Sequence, residues 1–139
     1  MNDQKPLRLE SIVFDFDGTL AELHLDFPAM KRQIRALAQQ YFDHSLPEPN
    51  LPALEWLGIL VAALHESNAS AAATLERRAA ALIREIELDA AYRGSLFSFT
   101  RSILQSLQQQ RIKIAIITRN CEEAVRIVFP DLDRYCAGF

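Results

Sequence analysis

The chain has 139 residues, half of them apolar and 24% charged, with a formal charge of −3. That length fits one domain, or one domain carrying an insertion, with enough chain for a core without staples. The composition excludes wholesale disorder, the charge excludes a strongly basic nucleic-acid binder, and two cysteines exclude a disulfide framework. No CxxC or Cys/His run suggests zinc. The first residues lack the apolar segment of a secretory signal, and the longest apolar run, Leu57 to Leu64, is too short to span a membrane. The default expectation is a soluble, cytoplasmic protein without nucleic-acid or membrane partners.

In chain order, Ser11 to Asp15 is a β-branched and aromatic run that stops before Gly18, and it predicts a buried strand ending near Asp15. Met30, Ile34, Leu37 and Tyr41 recur at helical spacing, with Pro28 suited to the first turn. Pro47, Pro49 and Pro52 mark a break. Leu54 to Leu64 is apolar nearly all round and predicts a buried helix. Asn68 or Ser70 can cap the next helix, whose stripe is Leu75, Ala79, Leu82, Ile86 and Ala90. Gly94 stands where a C-cap glycine belongs. Residues 23–94 therefore predict an all-helical insertion. Phe97, Thr100, Leu104 and Leu107 give a short helix face. Ile112 to Ile117 predicts a second, fully buried strand. Asn120 and Glu123 have capping-box spacing for a helix carrying Val125, Val128 and Phe129 and stopped by Pro130. Two parallel strands alone make no stable sheet. The ending at Phe139, where a third strand could start, reads as the first part of a larger α/β domain.

Asp15 and Asp17 are the main chemical signal. In an extended strand, residues i and i+2 point to one side, which predicts both carboxylates on one face. They fall at the C-terminal end of a strand, where open α/β sheets bind ligands. Two carboxylates so close repel when both are ionised, which favours dividing the work between a nucleophile or ligand and a proton carrier. Gly18 lets the backbone turn immediately afterwards. Taken alone, Asp17-Gly18 is also what an ordinary turn after a strand requires.

The whole string Ile12-Val13-Phe14-Asp15-Phe16-Asp17-Gly18-Thr19-Leu20 resembles the first motif of the haloacid dehalogenase-like superfamily, a hydrophobic strand followed by Asp-x-Asp-Gly-Thr. Ile114 to Thr118, followed by Arg119 and Asn120, resembles its second motif, a hydrophobic strand ending in Thr or Ser. Between them, residues 23–94 resemble the helical cap of the phosphoglycolate phosphatase-like branch. The resemblance implies an α/β fold, a Rossmann-like parallel sheet core from residues 1–22 and 95–139, incomplete in this chain, with the inserted cap. It implies a Mg²⁺-dependent phosphohydrolase of small phosphorylated metabolites. Asp15 would be the nucleophile that forms an aspartyl-phosphate, and Asp17 would protonate the leaving oxygen and later activate water. The Asp15 carboxylate and the Asp17 main-chain carbonyl would hold the metal. Thr118 would bind a phosphoryl oxygen, with Gly18 and Arg119 as further phosphate-binding candidates. A carboxylate approaches a phosphate dianion only if cations offset the repulsion. Thr118 is also expected just before a helix N-terminus, a natural anion site. A dehalogenase fits less well, because that branch usually lacks the second Asp; a phosphomutase of the same cap type stays open on sequence alone.

The family's third motif, a Lys or Arg, and its fourth, one or two acids, lie downstream of the second, and the sequence ends before either. This supports an alternative: a non-catalytic binding or assembly module that keeps the phosphate cradle and pairs its open strand edge with a second copy. Other signals are weaker. Arg119 is as well explained as a solvated surface residue. Glu22, His24 and Asp26 alternate and read as a polar hinge rather than as metal ligands. His44 and His65 are isolated. Cys121 lies in a helix's first turn, but a carboxylate nucleophile leaves it no role. Arg77 and Arg78 read as an outer helix face.

Overall fold

The computed structural model describes residues 8–46 and 50–136. The break expected at Pro47 and Pro49 and the strand start expected at Phe139 lie outside those residues. The chain forms two compact units: one from the segments up to His24 and from Ala90 onward, the other from Leu25 to Asp89.

The first unit is built on two parallel strands, β1 (Ser11–Asp15) and β4 (Lys113–Ile117), paired in register from Ser11 with Lys113 to Asp15 with Ile117. A short antiparallel pair, β2 (Ala21–Glu22) with β3 (Ser95–Leu96), joins the chain leaving the first motif to the chain returning from the insertion. Helix α4 (Thr100–Gln109) packs on β4, and α5 (Glu122–Val128) follows it. The in-register parallel pairing puts Ile12, Phe14, Ile114 and Ile116 on one face of the sheet. Ile114 and Ile116 are buried there, with Leu104, Val125 and Phe129 also in this unit's core.

The other face differs from the sequence expectation of two buried strands. It carries Ser11, Val13, Asp15, Lys113, Ala115 and Ile117, and Val13 is 63% and Ile117 66% exposed. Apolar runs without alternation mean burial on both faces only where both faces are covered. Among the described residues, one face is covered, and neither outer strand edge has a partner.

The second unit consists of α1 (Phe27–Ala38), α2 (Ala53–Ser67) and most of α3 (Ala69–Arg93), which runs unbroken across the Asp89–Ala90 boundary. Its core gathers Met30, Ile34, Trp56, Leu57, Leu60, Leu64, Leu75 and Ala79. Asp26 caps α1 by accepting the Ala29 N–H at 2.8 Å, with Pro28 in the first turn. Asp26 is thus an N-cap, which explains it without a metal. Asn68 caps α3 by accepting the Ala71 N–H at 3.0 Å. Arg78 lies on the exposed side of α3 and donates to Gln40 and Tyr41 in the turn after α1. Helix α2 is buried on one side rather than all round, since Ile59 is 55% exposed.

Gly94 has no left-handed φ, so it is not the C-cap glycine that the sequence suggests. It is required by a close approach instead. A Cβ at Gly94 would lie 2.7 Å from the Glu22 carbonyl oxygen and 3.2 Å from that of Ala90. A side chain at this position would press on the backbone of β2.

Candidate functional site

Asp15 ends β1 and is exposed; its Oδ1 accepts the N–H of Phe16 at 2.8 Å. The strand stops there. Asp17 therefore does not share a face with Asp15 through strand alternation, as the sequence suggested, but is placed by the loop that follows. That loop is tightly wound. The Phe16 carbonyl accepts the N–H groups of Thr19, Leu20 and Ala21 at 3.3, 2.9 and 3.0 Å, and Gly18 N–H donates to the Ala21 carbonyl at 2.8 Å. Gly18 has φ +79°, a conformation that β-carbon-bearing residues adopt only at a cost. A Cβ there would meet nothing within 4 Å, so its glycine is required by the turn and not by space. Asp17 Oδ1 accepts the Leu23 N–H at 2.9 Å, which fixes the carboxylate across the turn.

Thr118 enters the same end of the sheet from β4. Its predecessor Ile117 is the ladder partner of Asp15. The Thr118 hydroxyl oxygen accepts the Asn120 backbone N–H and Asn120 Nδ2, each at 3.1 Å. A hydroxyl has two lone pairs and one hydrogen. With both lone pairs engaged, its hydrogen is left to donate outward. The sequence places Asn120 in a capping box. Helix α5 is instead preceded by Cys121 with no side-chain cap, and the Asn120 amide turns back to the nearer hydroxyl. The helix has seven residues with Glu122 and Glu123 in its first turn, so the phosphate-binding case rests on Thr118 and not on that helix end. Arg119 is exposed beside it.

All five residues selected from the sequence, Asp15, Asp17, Gly18, Thr118 and Arg119, follow or end the two parallel strands at one end of the sheet. Asp15 Oδ2 and the Asp17 carbonyl accept no hydrogen bond among the described residues. These are hard oxygen donors, suited to Mg²⁺. No group of three or more His, Cys, Asp or Glu side chains gathers as a metal centre among the described residues. A cation here would take most of its ligands from water and phosphate, as Mg²⁺ ordinarily does. The residues present therefore fit Mg²⁺. No helix among the described residues is long and apolar enough to cross a membrane.

No family model matches the sequence, and no curated protein is significantly similar to it. Solved structures are. A family IA, variant 3 haloacid dehalogenase-like hydrolase from Entamoeba histolytica superposes with a TM-score of 0.53 at 18% identity, over 91% of this chain and 57% of that one. A predicted phosphoglycolate phosphatase from Haemophilus somnus superposes with a TM-score of 0.50 at 15% identity, over 94% of this chain and 61% of that one. The fold is that of the haloacid dehalogenase-like hydrolases, the family whose motifs the sequence resembles. The chain spans about 60% of the length of the structures it matches.

Proposed function

We propose that this chain carries the nucleophile and phosphate cradle of a Mg²⁺-dependent phosphohydrolase acting on small phosphorylated metabolites. The observation that supports it most is the rung Asp15–Ile117, which brings Thr118 and its free hydroxyl hydrogen beside the strand that ends in Asp15. A bound Mg²⁺ would offset the charge between carboxylate and phosphate and withdraw electron density from phosphorus. Asp15 attacks phosphorus through one carboxylate oxygen, and the bond from phosphorus to the ester oxygen breaks. Asp17 gives a proton to that leaving oxygen. Thr118 donates to a phosphoryl oxygen and orients the group. Asp17, now a carboxylate, takes a proton from water, which attacks the aspartyl-phosphate, frees inorganic phosphate and restores Asp15. Uncatalysed hydrolysis of phosphate monoesters is so slow that several such contributions must act together. The helical insertion, residues 25–89, would act as the cap that selects the substrate.

The test is hydrolysis of p-nitrophenyl phosphate with and without Mg²⁺. Turnover that needs Mg²⁺ and disappears in Asp15→Asn supports the reading. Turnover unchanged by Asp15→Asn removes it.

A second reading has its own observation. Val13 and Ile117 stand exposed on a parallel sheet whose outer edges have no partner among the described residues. This favours a binding or assembly module that pairs with a second copy through a strand edge. Phosphate binding without turnover, together with a concentration-dependent dimer, would favour it over the first.

A further inference from the structure

We infer that Thr100 is a positioning residue for the Asp17 loop; this deepens the phosphohydrolase reading and rests on it for the role of Asp17. Thr100 begins α4 and is completely buried, one of only two buried polar or charged side chains among the described residues. Its hydroxyl donates to the Leu20 carbonyl, eighty residues earlier in the chain. The Phe97 N–H donates to the same carbonyl at 3.1 Å.

The arrangement matters because of what the rest of the loop does. From Phe16 to Ala21 the turn is closed on itself: the Phe16 carbonyl gathers three N–H groups, and Gly18 reaches the Ala21 carbonyl. Those bonds set the shape of the turn, and its last residue, Ala21, is tied outward by pairing with Leu96 of β3. The Leu20 carbonyl points out of this closed turn, and both of its partners come from the segment that opens α4. Thr100 is the side chain that anchors the Asp17-Gly18 turn to a helix. A mispositioned carboxylate is costly in a site where reacting groups must be held within fractions of an ångström. A hydroxyl in a fully buried place also needs a partner, so its bond is well determined. Sequence periodicity assigned Thr100 to the apolar face of α4, where valine would serve the packing as well. The hydroxyl is what valine would not supply.

The test uses Thr100→Val, which keeps the shape and removes the donor, and Thr100→Ser, which keeps the donor. Three quantities are read on each protein: thermal stability, the backbone amide NMR shifts of Asp17 and Gly18, and the affinity for Mg²⁺ alone by calorimetry. The expected result is that Thr100→Val moves the Asp17 and Gly18 amides and weakens Mg²⁺ about tenfold, the equivalent of one buried hydrogen bond. Thr100→Ser restores both even if it is less stable. A Thr100→Val protein with lower stability but unchanged amide shifts overturns the inference and leaves Thr100 a packing residue. If Thr100→Val does not fold, Thr100→Ser decides: displaced Asp17 and Gly18 amides despite the retained hydroxyl overturn it. If the unmodified protein does not bind Mg²⁺, the metal reading fails, while the amide shifts still decide the role of Thr100.

Discussion

Asn120 holds the hydroxyl of Thr118 from two sides, with its backbone N–H and its side-chain amide each 3.1 Å from Oγ1. The pair forms a small polar turn immediately after β4, at the end of the sheet where β1 delivers Asp15. This arrangement orients the Thr118 hydrogen before any ligand arrives, so little ordering cost remains on binding.

The first prediction concerns that turn. Thr118→Val removes the donor and should weaken inorganic phosphate binding by about 1.5–3 kcal/mol, the range for a hydrogen bond to a charged group. Thr118→Ser should bind nearly as well as the unmodified protein. Asn120→Ala keeps the backbone donor and removes the amide, so its loss should be smaller than that of Thr118→Val. Phosphate titration by calorimetry or NMR orders the three. An Asn120→Ala loss as large as that of Thr118→Val would mean that Asn120 itself contacts phosphate.

The placement of the candidate residues at the ends of the two parallel strands could be read from the sequence because its signals are local. Asp15, Gly18 and Thr118 each stand at the end of a short apolar run, and a strand end is a local event. The errors came where local patterns meet tertiary constraint. Alternation put Asp17 on a face with Asp15, but β1 stops at Asp15 and a turn of backbone hydrogen bonds places Asp17. Continuous apolar strands implied burial, but Val13 and Ile117 are largely exposed, because strand composition does not show whether a second layer covers the sheet. Gly94 was assigned a conformational role that its backbone does not show. The contact that requires it, with the Glu22 carbonyl, joins positions far apart in sequence. Thr100 and Asn120 were missed as site residues for a related reason: the role of each lies in a hydrogen-bond partner, which periodicity does not report. A Thr-x-Asn turn after a strand could have suggested Asn120.

Gly94 supplies the second prediction. A methyl group there would press on the Glu22 carbonyl at 2.7 Å, and backbone cannot move aside as a flexible side chain can. Gly94→Ala should destabilise the protein by about 1–3 kcal/mol, as overpacking does. Gly58, in the interior of α2, is the control. A Cβ there meets nothing within 4 Å, and Gly58→Ala should stabilise by about 0.5–1 kcal/mol through helix propensity. Urea denaturation reads both. Equal, small effects at the two positions would show that β2 and β3 are not held as close as described.

Asp131 gives a pH dependence. Arg101 on α4 holds it with three contacts, Nη2 to Oδ1 at 2.6 Å and Nε to Oδ2 at 3.1 Å and to Oδ1 at 3.2 Å, and the guanidinium also lies over the Phe129 ring. The hydrogen bond from Arg101 holds the Asp131 carboxyl below its ordinary value. A carboxyl whose pKa is lower folded than unfolded adds stability above the unfolded value, about 3.9, and that stability is lost as pH falls through the folded value. Arg101 is half exposed, so solvent screening keeps the contribution at about 0.5–1 kcal/mol. Asp131→Asn should therefore cost about that much at pH 7 and nothing at pH 2. Chemical denaturation at the two pH values checks it. A cost that persists unchanged at pH 2 would assign the effect to packing rather than to charge.

The open sheet face gives the last prediction. Val13 and Ile117 point to the side that no described residue covers, and Ala115 lies between them on the same face. If they pack against nothing within the chain, replacing both by threonine keeps β-branching and costs little folding stability, about 0.5 kcal/mol or less at each position. The same change removes apolar area from any surface that a second copy would bury. Sedimentation velocity over a range of concentrations should show the unmodified protein associating and the Val13→Thr, Ile117→Thr double variant associating less. An unmodified protein that stays monomeric at every concentration removes the assembly reading and leaves the phosphohydrolase reading alone. A double variant that loses several kcal/mol would show instead that these side chains are packed, because truly exposed residues have no contacts to lose.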